Sequence, residues 1–189
     1  MVILERATRE TKVEVKLEIR GRGKALIDTP IGFFNHLLES FALHGSFDIE
    51  LKAEGDTFVD NHHLVEDVGI VLGEAFKRAL DKRENIKRFG FFLMPMDDAL
   101  VEIALDLAER AFLVFDVELN ESYVGKLETS LIEEFWKAFT SHAFITLHIV
   151  KRRGKNAHHI IEAIFKGVGK ALKMALEEEK GVPSTKGVM

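Results

Sequence analysis

Two copies of a His-His-x-x-Glu motif are the residues best suited to chemistry in this sequence. One lies in "DNHHLVED" at residues 60–67 and the other in "NAHHIIEA" at residues 156–163, 96 positions further on. Imidazole and carboxylate groups without sulfur suit a divalent cation such as Mn²⁺, Fe²⁺, Co²⁺ or Zn²⁺. The spacing differs from the His-Glu-x-x-His of zinc proteases, in which the glutamate is the base. The repeated motif therefore predicts a metal centre.

Each motif can serve two ions if it opens a helix. Its first histidine and its glutamate are then i and i+4 on one face, and its second histidine points about 100° away around the axis. A histidine at a helix start can also simply cap or pack the helix, but that explanation does not account for two copies in register. The motifs together predict the following metal ligands: His62, His63, Glu66, His158, His159 and Glu162.

A longer internal repeat surrounds the motifs. "FNHLLESFALHG" at residues 34–45 aligns with "IEEFWKAFTSHA" at residues 132–143, which places His36 over Glu134 and His44 over another histidine. His36 is a further predicted ligand, whereas Glu134 depends on the alignment alone and could belong to an exposed helix face. His44 is at a helix end, where capping of the helix dipole is an equal alternative.

The elements that must position these residues repeat as well. An alternating apolar stretch, typical of a half-buried strand, follows each aligned helix, and helical apolar spacing follows each motif. Further strands are predicted at residues 11–28, where "GRG" suggests a hairpin turn, and at residues 88–119, with a break centred on Pro95. Ordinary symmetry of helices on a sheet would explain the repeated apolar positions but not the repeated histidines. We predict an α+β protein of two fused internal-repeat lobes, each a small β-sheet covered by two α-helices.

The composition fits one domain. The chain has 189 residues, 47% of them hydrophobic, which is enough for one sizeable core or two small fused lobes. We predict a single domain over 1–189, with repeats at about 1–85 and 86–180 and a tail at 181–189. The net charge of −5 is spread along the chain without a basic stripe, so no nucleic-acid partner is expected. Short apolar runs and an N-terminus without a signal-peptide pattern predict a cytoplasmic protein with no membrane contact, and the absence of cysteine excludes thiolate ligands.

From "RETKVEV" to "PSTKGV", nearly end to end, the sequence resembles the imidazoleglycerol-phosphate dehydratase family of histidine biosynthesis. The resemblance depends on "DTPIGFFNHLLESFALHGSFDI", "DNHHLVEDVGIVLGEA", "RFGFFLMPMDDALVEIALDLAERAFLVFD", "TLHI" and "GKNAHHIIEAIFKGVGKAL". It implies a hydro-lyase that converts D-erythro-imidazole-glycerol phosphate to imidazole-acetol phosphate and water. It also implies two Mn²⁺ ions per subunit, held at subunit interfaces, and a homo-oligomer of 24 subunits built from trimers.

The resemblance divides the ligands between two ions. One ion would take His36, His63, His158 and Glu162, and the other His62, Glu66, His159 and Glu134. Many family members have histidine where this chain has Glu134, and a carboxylate can replace imidazole as a ligand for Mn²⁺. The chain departs from the family at three other places: Asn35 replaces an aspartate, Glu-Arg-Ala at 109–111 replaces Gly-Arg-Pro, and Met-Asp-Asp at 96–98 replaces Met-Asp-Glu.

The implied substrate has no carbonyl that could activate the carbon losing its proton. Two cations on its ring nitrogens would instead stabilise an imidazolate, whose electrons expel the neighbouring hydroxyl. By resemblance, Glu10 takes the carbon-bound proton and Asp97 assists; on sequence alone, Glu10 is a surface carboxylate beside a strand and Asp97 a helix cap. The implied substrate-binding residues are Glu10, His36, His44, His62, His63, Glu66, Arg88, Arg110, His158, Lys166, Ser184, Thr185 and Lys186. A metal-dependent hydrolase and a structural oligomer held by metal are the alternatives, and the phosphate-binding cations weigh against both.

Overall fold

The structure, a computed structural model, describes residues 1–81 and 83–181. Its first half contains, in chain order, β1 (Val2–Ala7), β2 (Thr11–Glu18), β3 (Ala25–Asp28), α1 (Gly32–Gly45), β4 (Asp48–Gly55) and α2 (His62–Leu80). Its second half contains β5 (Phe89–Met96), β6 (Ala99–Asp106), β7 (Phe112–Asp116), β8 (Tyr123–Val124), β9 (Leu127–Glu128), α3 (Leu131–Ala143), β10 (Thr146–Arg153) and α4 (Ala157–Ala175). The same succession of elements thus occurs twice, apart from the short β8–β9 pair.

The two halves build sheets of the same topology. The strand order is β1-β2-β4-β3 in one sheet and β5-β6-β10-β7 in the other, with β3 parallel to β4 and β7 parallel to β10. In "TKVEVKLE" of β2, Val13, Val15 and Leu17 are buried while the charged residues between them are exposed. Alternation of this kind lets one face of the sheet pack on helices. The predicted α+β fold of two similar lobes is confirmed.

The lobes meet through their helices, because α2 packs chiefly on α3 and α1 on α4. Two glycines make this close approach possible. A Cβ added at Gly73 of α2 would lie 2.5 Å from the carbonyl oxygen of Phe139, and one at Gly169 of α4 would lie 2.7 Å from that of Phe41. These contacts are equivalent under the internal repeat. Buried aromatic rings on all four helices fill the space around them, so the two lobes share one hydrophobic core.

The hairpin predicted at "GRG" is wrong. β2 and β3 do not pair with each other, because β4 lies between them in the sheet. The connection instead passes close to the start of β4, where Asp48 accepts hydrogen bonds from the backbone N–H groups of Arg22 and Lys24 at 2.8 and 2.9 Å. A Cβ at Gly21 would lie 2.5 Å from the backbone nitrogen of Asp48. Gly21 is therefore needed for the close approach of the chain to the start of β4, and not for a tight hairpin turn.

The break predicted at Pro95 is displaced. Pro95 lies inside β5, which is an edge strand of its sheet, so the missing N–H of proline is tolerated there. The chain reverses at Asp97, which has a left-handed φ of 48°, and at Asp98. β1 is an additional edge strand that was not predicted from the sequence. Within the described ranges, none of the helices has the length and apolar character needed to cross a membrane.

Candidate metal centre

Both motifs lie at helix starts, as their spacing predicted. α2 begins at His62, whose backbone N–H donates to Asp60 Oδ1 at 2.8 Å. α4 begins one residue before His158, and the side chain of its N-cap Asn156 accepts from the backbone N–H of His159 at 3.3 Å. Hydrogen bonds of this kind satisfy free N–H groups in the first turn of a helix.

One predicted ligand group is assembled within a single chain. The ligand atoms of His36, His158 and Glu162 all lie within 4.8 Å of one another. His36 Nε2 is 3.2 Å from Glu162 Oε1, and His158 Nε2 is 3.1 Å from Glu162 Oε2. α1 supplies the first histidine and α4 the other two residues, so the packing of these helices brings the two lobes together at this point. Two imidazoles and a carboxylate fit a borderline divalent cation.

Glu162 is ionised in this group although it is only 5% exposed. Burial opposes its ionisation, but hydrogen bonds from Lys166 and His36 outweigh that effect and lower the pKa of Glu162. Lys166 Nζ lies 2.8 Å from the carboxylate. The ring of Phe33 packs 4.8 Å from that of His158, centroid to centroid, and so supports one side of the group. The group thus combines a charged carboxylate with two imidazoles, and an aromatic ring packs against one side of it.

The repeat-equivalent residues do not close a group of the same kind. His62 Nε2 lies 3.9 Å from Glu66 Oε2, and Glu134 on α3 pairs with Lys137 at 3.5 Å. Among the described residues, His62, Glu66 and Glu134 are not gathered within the distance that unites the first group. The two cationic partners of Glu162 have no counterparts beside Glu66. The position equivalent to Lys166 is Ile70, and the position equivalent to His36 is Glu134. Neither residue can offer Glu66 a positive charge.

The second histidines of the motifs each lie against carboxylates. His63 joins Asp56 and Glu10 in a second potential ligand group. Its Nδ1 is 3.1 Å from Asp56 and 3.8 Å from Glu10, and the hydrogen bond to Asp56 raises the pKa of His63. Asp56 was not among the predicted site residues, although its place directly after β4 is one where a carboxylate could have been sought.

His159 is held in the same manner in the other half. Its Nδ1 lies 2.7 Å from Asp98 Oδ1, and its Nε2 is 3.4 Å from Asp97 Oδ2. Asp98 also accepts from the backbone N–H of Lys155 at 2.7 Å. This backbone N–H and then the His159 ring lower the pKa of Asp98 to about 2, and Asp98 in turn raises the pKa of His159. Asp97 thus lies beside a predicted ligand, although not in the role of a helix cap.

The predicted phosphate-binding cations are only partly brought together. Arg88 donates to both oxygens of Asp106 at 2.7 and 3.0 Å, and Arg110 lies 3.5 Å from the same carboxylate with 73% of its side chain exposed. Lys166 instead lies at the Glu162 group, close enough to His44 to lower its pKa, after burial as the main cause. Ser184, Thr185 and Lys186 lie outside the described residues.

The side chain of Asn35, at a position where the resemblance implies an aspartate, contacts Thr29 rather than His36. The Thr29 hydroxyl donates to Asn35 Oδ1 at 2.6 Å, and Asn35 Nδ2 donates to the Thr29 carbonyl at 3.0 Å. The residue therefore fixes the chain just before α1. His36 gains its hydrogen-bonding partner from the other lobe, in Glu162.

A duplicated α+β fold with histidine–carboxylate groups at its helix starts defines a candidate metal-dependent enzyme. The sequence profile of the family described as imidazoleglycerol-phosphate dehydratase (IGPD) matches residues 29–172. The chain belongs to this family and is accordingly a hydro-lyase, a dehydratase of histidine biosynthesis.

Individual relatives agree with the family over nearly their whole length. The imidazoleglycerol-phosphate dehydratase of Desulfitobacterium hafniense is 52% identical, with 98% of this chain and 96% of that protein aligned. The protein of the same name from Nitratiruptor is 50% identical over the full length of both. A crystal structure of IGPD from Pyrococcus furiosus in complex with (S)-C348 superposes with a TM-score of 0.86 at 39% identity, covering 98% of this chain and 100% of that one.

Proposed function

We propose that the chain converts D-erythro-imidazole-glycerol phosphate to imidazole-acetol phosphate and water, using two divalent cations per subunit. The observation that carries the proposal is the group of His36, His158 and Glu162, in which two helices from different lobes present two imidazoles and an ionised carboxylate. Mn²⁺ suits this donor set. Cations bound there would act as Lewis acids that stabilise negative charge on the imidazole ring of the substrate.

We propose that each ion is completed by a second copy of the chain. His63 is predicted to share an ion with the His36 group, yet it lies with Asp56 and Glu10 in a separate group. Likewise, His159 lies beside Asp97 and Asp98 rather than with His62. Contacts between copies would bring the missing histidine to each group, which supports metals at subunit interfaces in a homo-oligomer of 24 subunits built from trimers. The single domain over 1–189 and the cytoplasmic location belong to the same proposal.

The remaining residues would bind and deprotonate the substrate. Glu10 is 56% exposed at the side chain and makes no hydrogen bond to His63 at 3.8 Å, so its carboxylate can take the carbon-bound proton. Asp97, 3.4 Å from His159 and also exposed, would assist. Arg88 and Arg110, which share Asp106, would contribute cations for the phosphate together with Lys166 and residues 184–186.

The test is an assay of the purified, metal-free chain with added Mn²⁺ on imidazole-glycerol phosphate, following the keto product. Conversion that needs the added metal supports the proposal. Release of inorganic phosphate instead would identify a hydrolase. Metal-dependent assembly without any turnover would identify a structural oligomer, and either result would overturn the proposed reaction.

A further inference from the structure

The carboxylates that hold the two second histidines come from different places in the repeat. His63 Nδ1 is held by Asp56, at 3.1 and 3.2 Å, and Asp56 directly follows β4. His159 Nδ1 is held by Asp98, at 2.7 Å, and Asp98 lies in the turn between β5 and β6. The histidines are equivalent under the internal repeat, but their partners are not.

The two halves differ in which of two equivalent positions supplies the carboxylate that holds the histidine. Glu10 directly precedes β2 as Asp98 directly precedes β6, so these two carboxylates correspond. Asp56 follows β4 as Gly154 follows β10. Gly154 has a φ of 126°, which strains any other residue, and a Cβ there would lie only 3.0 Å from Ala99 Cα. The second half uses its turn carboxylate to hold the histidine, whereas the first half has Asp56 for that purpose.

The contacts of Asp98 and Glu10 differ accordingly. Both oxygens of Asp98 are occupied by hydrogen bonds, because they accept from the His159 ring and from the backbone N–H groups of Lys155 and Asn156. Glu10 remains 3.8 Å from His63, beyond hydrogen-bonding distance, and more than half exposed. The Asp56 side chain is only 17% exposed and lies against the imidazole with both of its oxygens.

We propose that Asp56 is a positioning residue with two effects. By accepting the Nδ1–H of His63 it leaves Nε2 of that ring as the nitrogen for a metal ion, and by occupying Nδ1 it leaves Glu10 free for substrate. A carboxylate behind a ligating histidine fixes the ring and raises its basicity, and its loss costs about 10–100-fold in metal affinity. The inference extends the proposed function, since Glu10 is the proposed base.

The test compares Asp56→Asn with Asp60→Asn in the full-length chain. Asp60 supplies a charge from the same loop and accepts from the backbone N–H of His62 at the start of α2, a role that asparagine fills equally well. The matched control therefore removes one carboxylate charge but keeps the hydrogen bond between Asp56 and the His63 ring, on which Asp60 acts only through its charge. Mn²⁺ binding is followed by electron paramagnetic resonance, and the visible spectrum of the Co²⁺-loaded protein reports ligand geometry.

For D56N we expect one of the two classes of site to bind Mn²⁺ about 10–100-fold more weakly, with a changed Co²⁺ spectrum. At saturating Mn²⁺ its kcat stays reduced while KM for imidazole-glycerol phosphate is nearly unchanged, because Glu10 becomes the carboxylate nearest to Nδ1. D60N keeps the wild-type behaviour in all these measurements. Wild-type Mn²⁺ affinity in D56N, or an equal loss in D60N, would overturn the inference.

A crystal structure of the Mn²⁺-loaded wild-type protein tests the same point without a variant. The inference requires His63 to coordinate through Nε2 while Asp56 remains on Nδ1; coordination through Nδ1, or by Asp56 itself, would refute it. Metal binding and structure do not depend on turnover. If the wild-type chain bound Mn²⁺ in this way but left imidazole-glycerol phosphate unchanged, the proposed function would fail while the role of Asp56 in metal binding stood.

Discussion

Replacing Gly169 by alanine tests how the two lobes are joined. The new Cβ would lie 2.7 Å from the carbonyl oxygen of Phe41 and 3.0 Å from the backbone nitrogen of Gly45. Both atoms belong to the backbone of α1, so the contact can be relieved only by moving one helix away from the other. Forcing extra volume into a well-packed core costs about 1–3 kcal/mol, whereas alanine gains about 1 kcal/mol over glycine in a helix. The clash therefore outweighs the gain or at least cancels it.

Gly32→Ala is the matched control, since Gly32 is an exposed residue at the start of α1 and a Cβ there meets nothing within 4 Å. Chemical denaturation of the metal-free proteins at one fixed concentration should place G169A about 1–3 kcal/mol below G32A in free energy of unfolding. G73A should behave like G169A, because its Cβ would meet the equivalent carbonyl of Phe139 at 2.5 Å. If G169A were as stable as G32A, the close helix crossing described here would be wrong.

Three further outcomes are expected. Chelation should shrink the assembly in sedimentation velocity experiments, because the proposed ions join copies of the chain; particles of unchanged size would separate metal from assembly. Glu10→Gln should lower turnover about 10²–10⁴-fold at unchanged Mn²⁺ binding, and a near-normal rate would rule Glu10 out as the base. Backbone N–H groups lower the pKa of Asp98 from 3.8 to about 2, so its charge stabilises the fold fully above about pH 4 and ceases to do so as the pH falls through about 2. Asp98→Asn should therefore remove part of the acid dependence of unfolding of the metal-free protein, and identical acid profiles would contradict this account.

The parts of the molecule that depend on local pattern could be predicted from sequence. α2 and α4 begin at the two-histidine motifs because capping groups and apolar spacing lie close together in the chain. The repeat identified His36 as a further ligand, but its place beside His158 and Glu162 was implied by the family resemblance rather than by spacing. The path of the chain at Gly21 could not be predicted in this way, since it depends on the later strand β4 entering between β2 and β3. The position of Asp56 directly after a strand could have marked it as a candidate, but its contact with His63 could not be predicted. Its importance lies in the direction of one ring nitrogen of His63, which spacing does not encode.

The crossing of helices between lobes bears on how such a chain could arise. The assembled group takes His36 from the first repeat and His158 and Glu162 from the second, so a polypeptide of half this length could not build it alone. Two identical half-length chains could, if they associated as the lobes do through paired glycine contacts at Gly73 and Gly169. A self-associating ancestor would then need only gene fusion to yield the present architecture, and the later divergence of its two copies would account for a histidine at position 36 of α1 and a glutamate at the equivalent position 134 of α3.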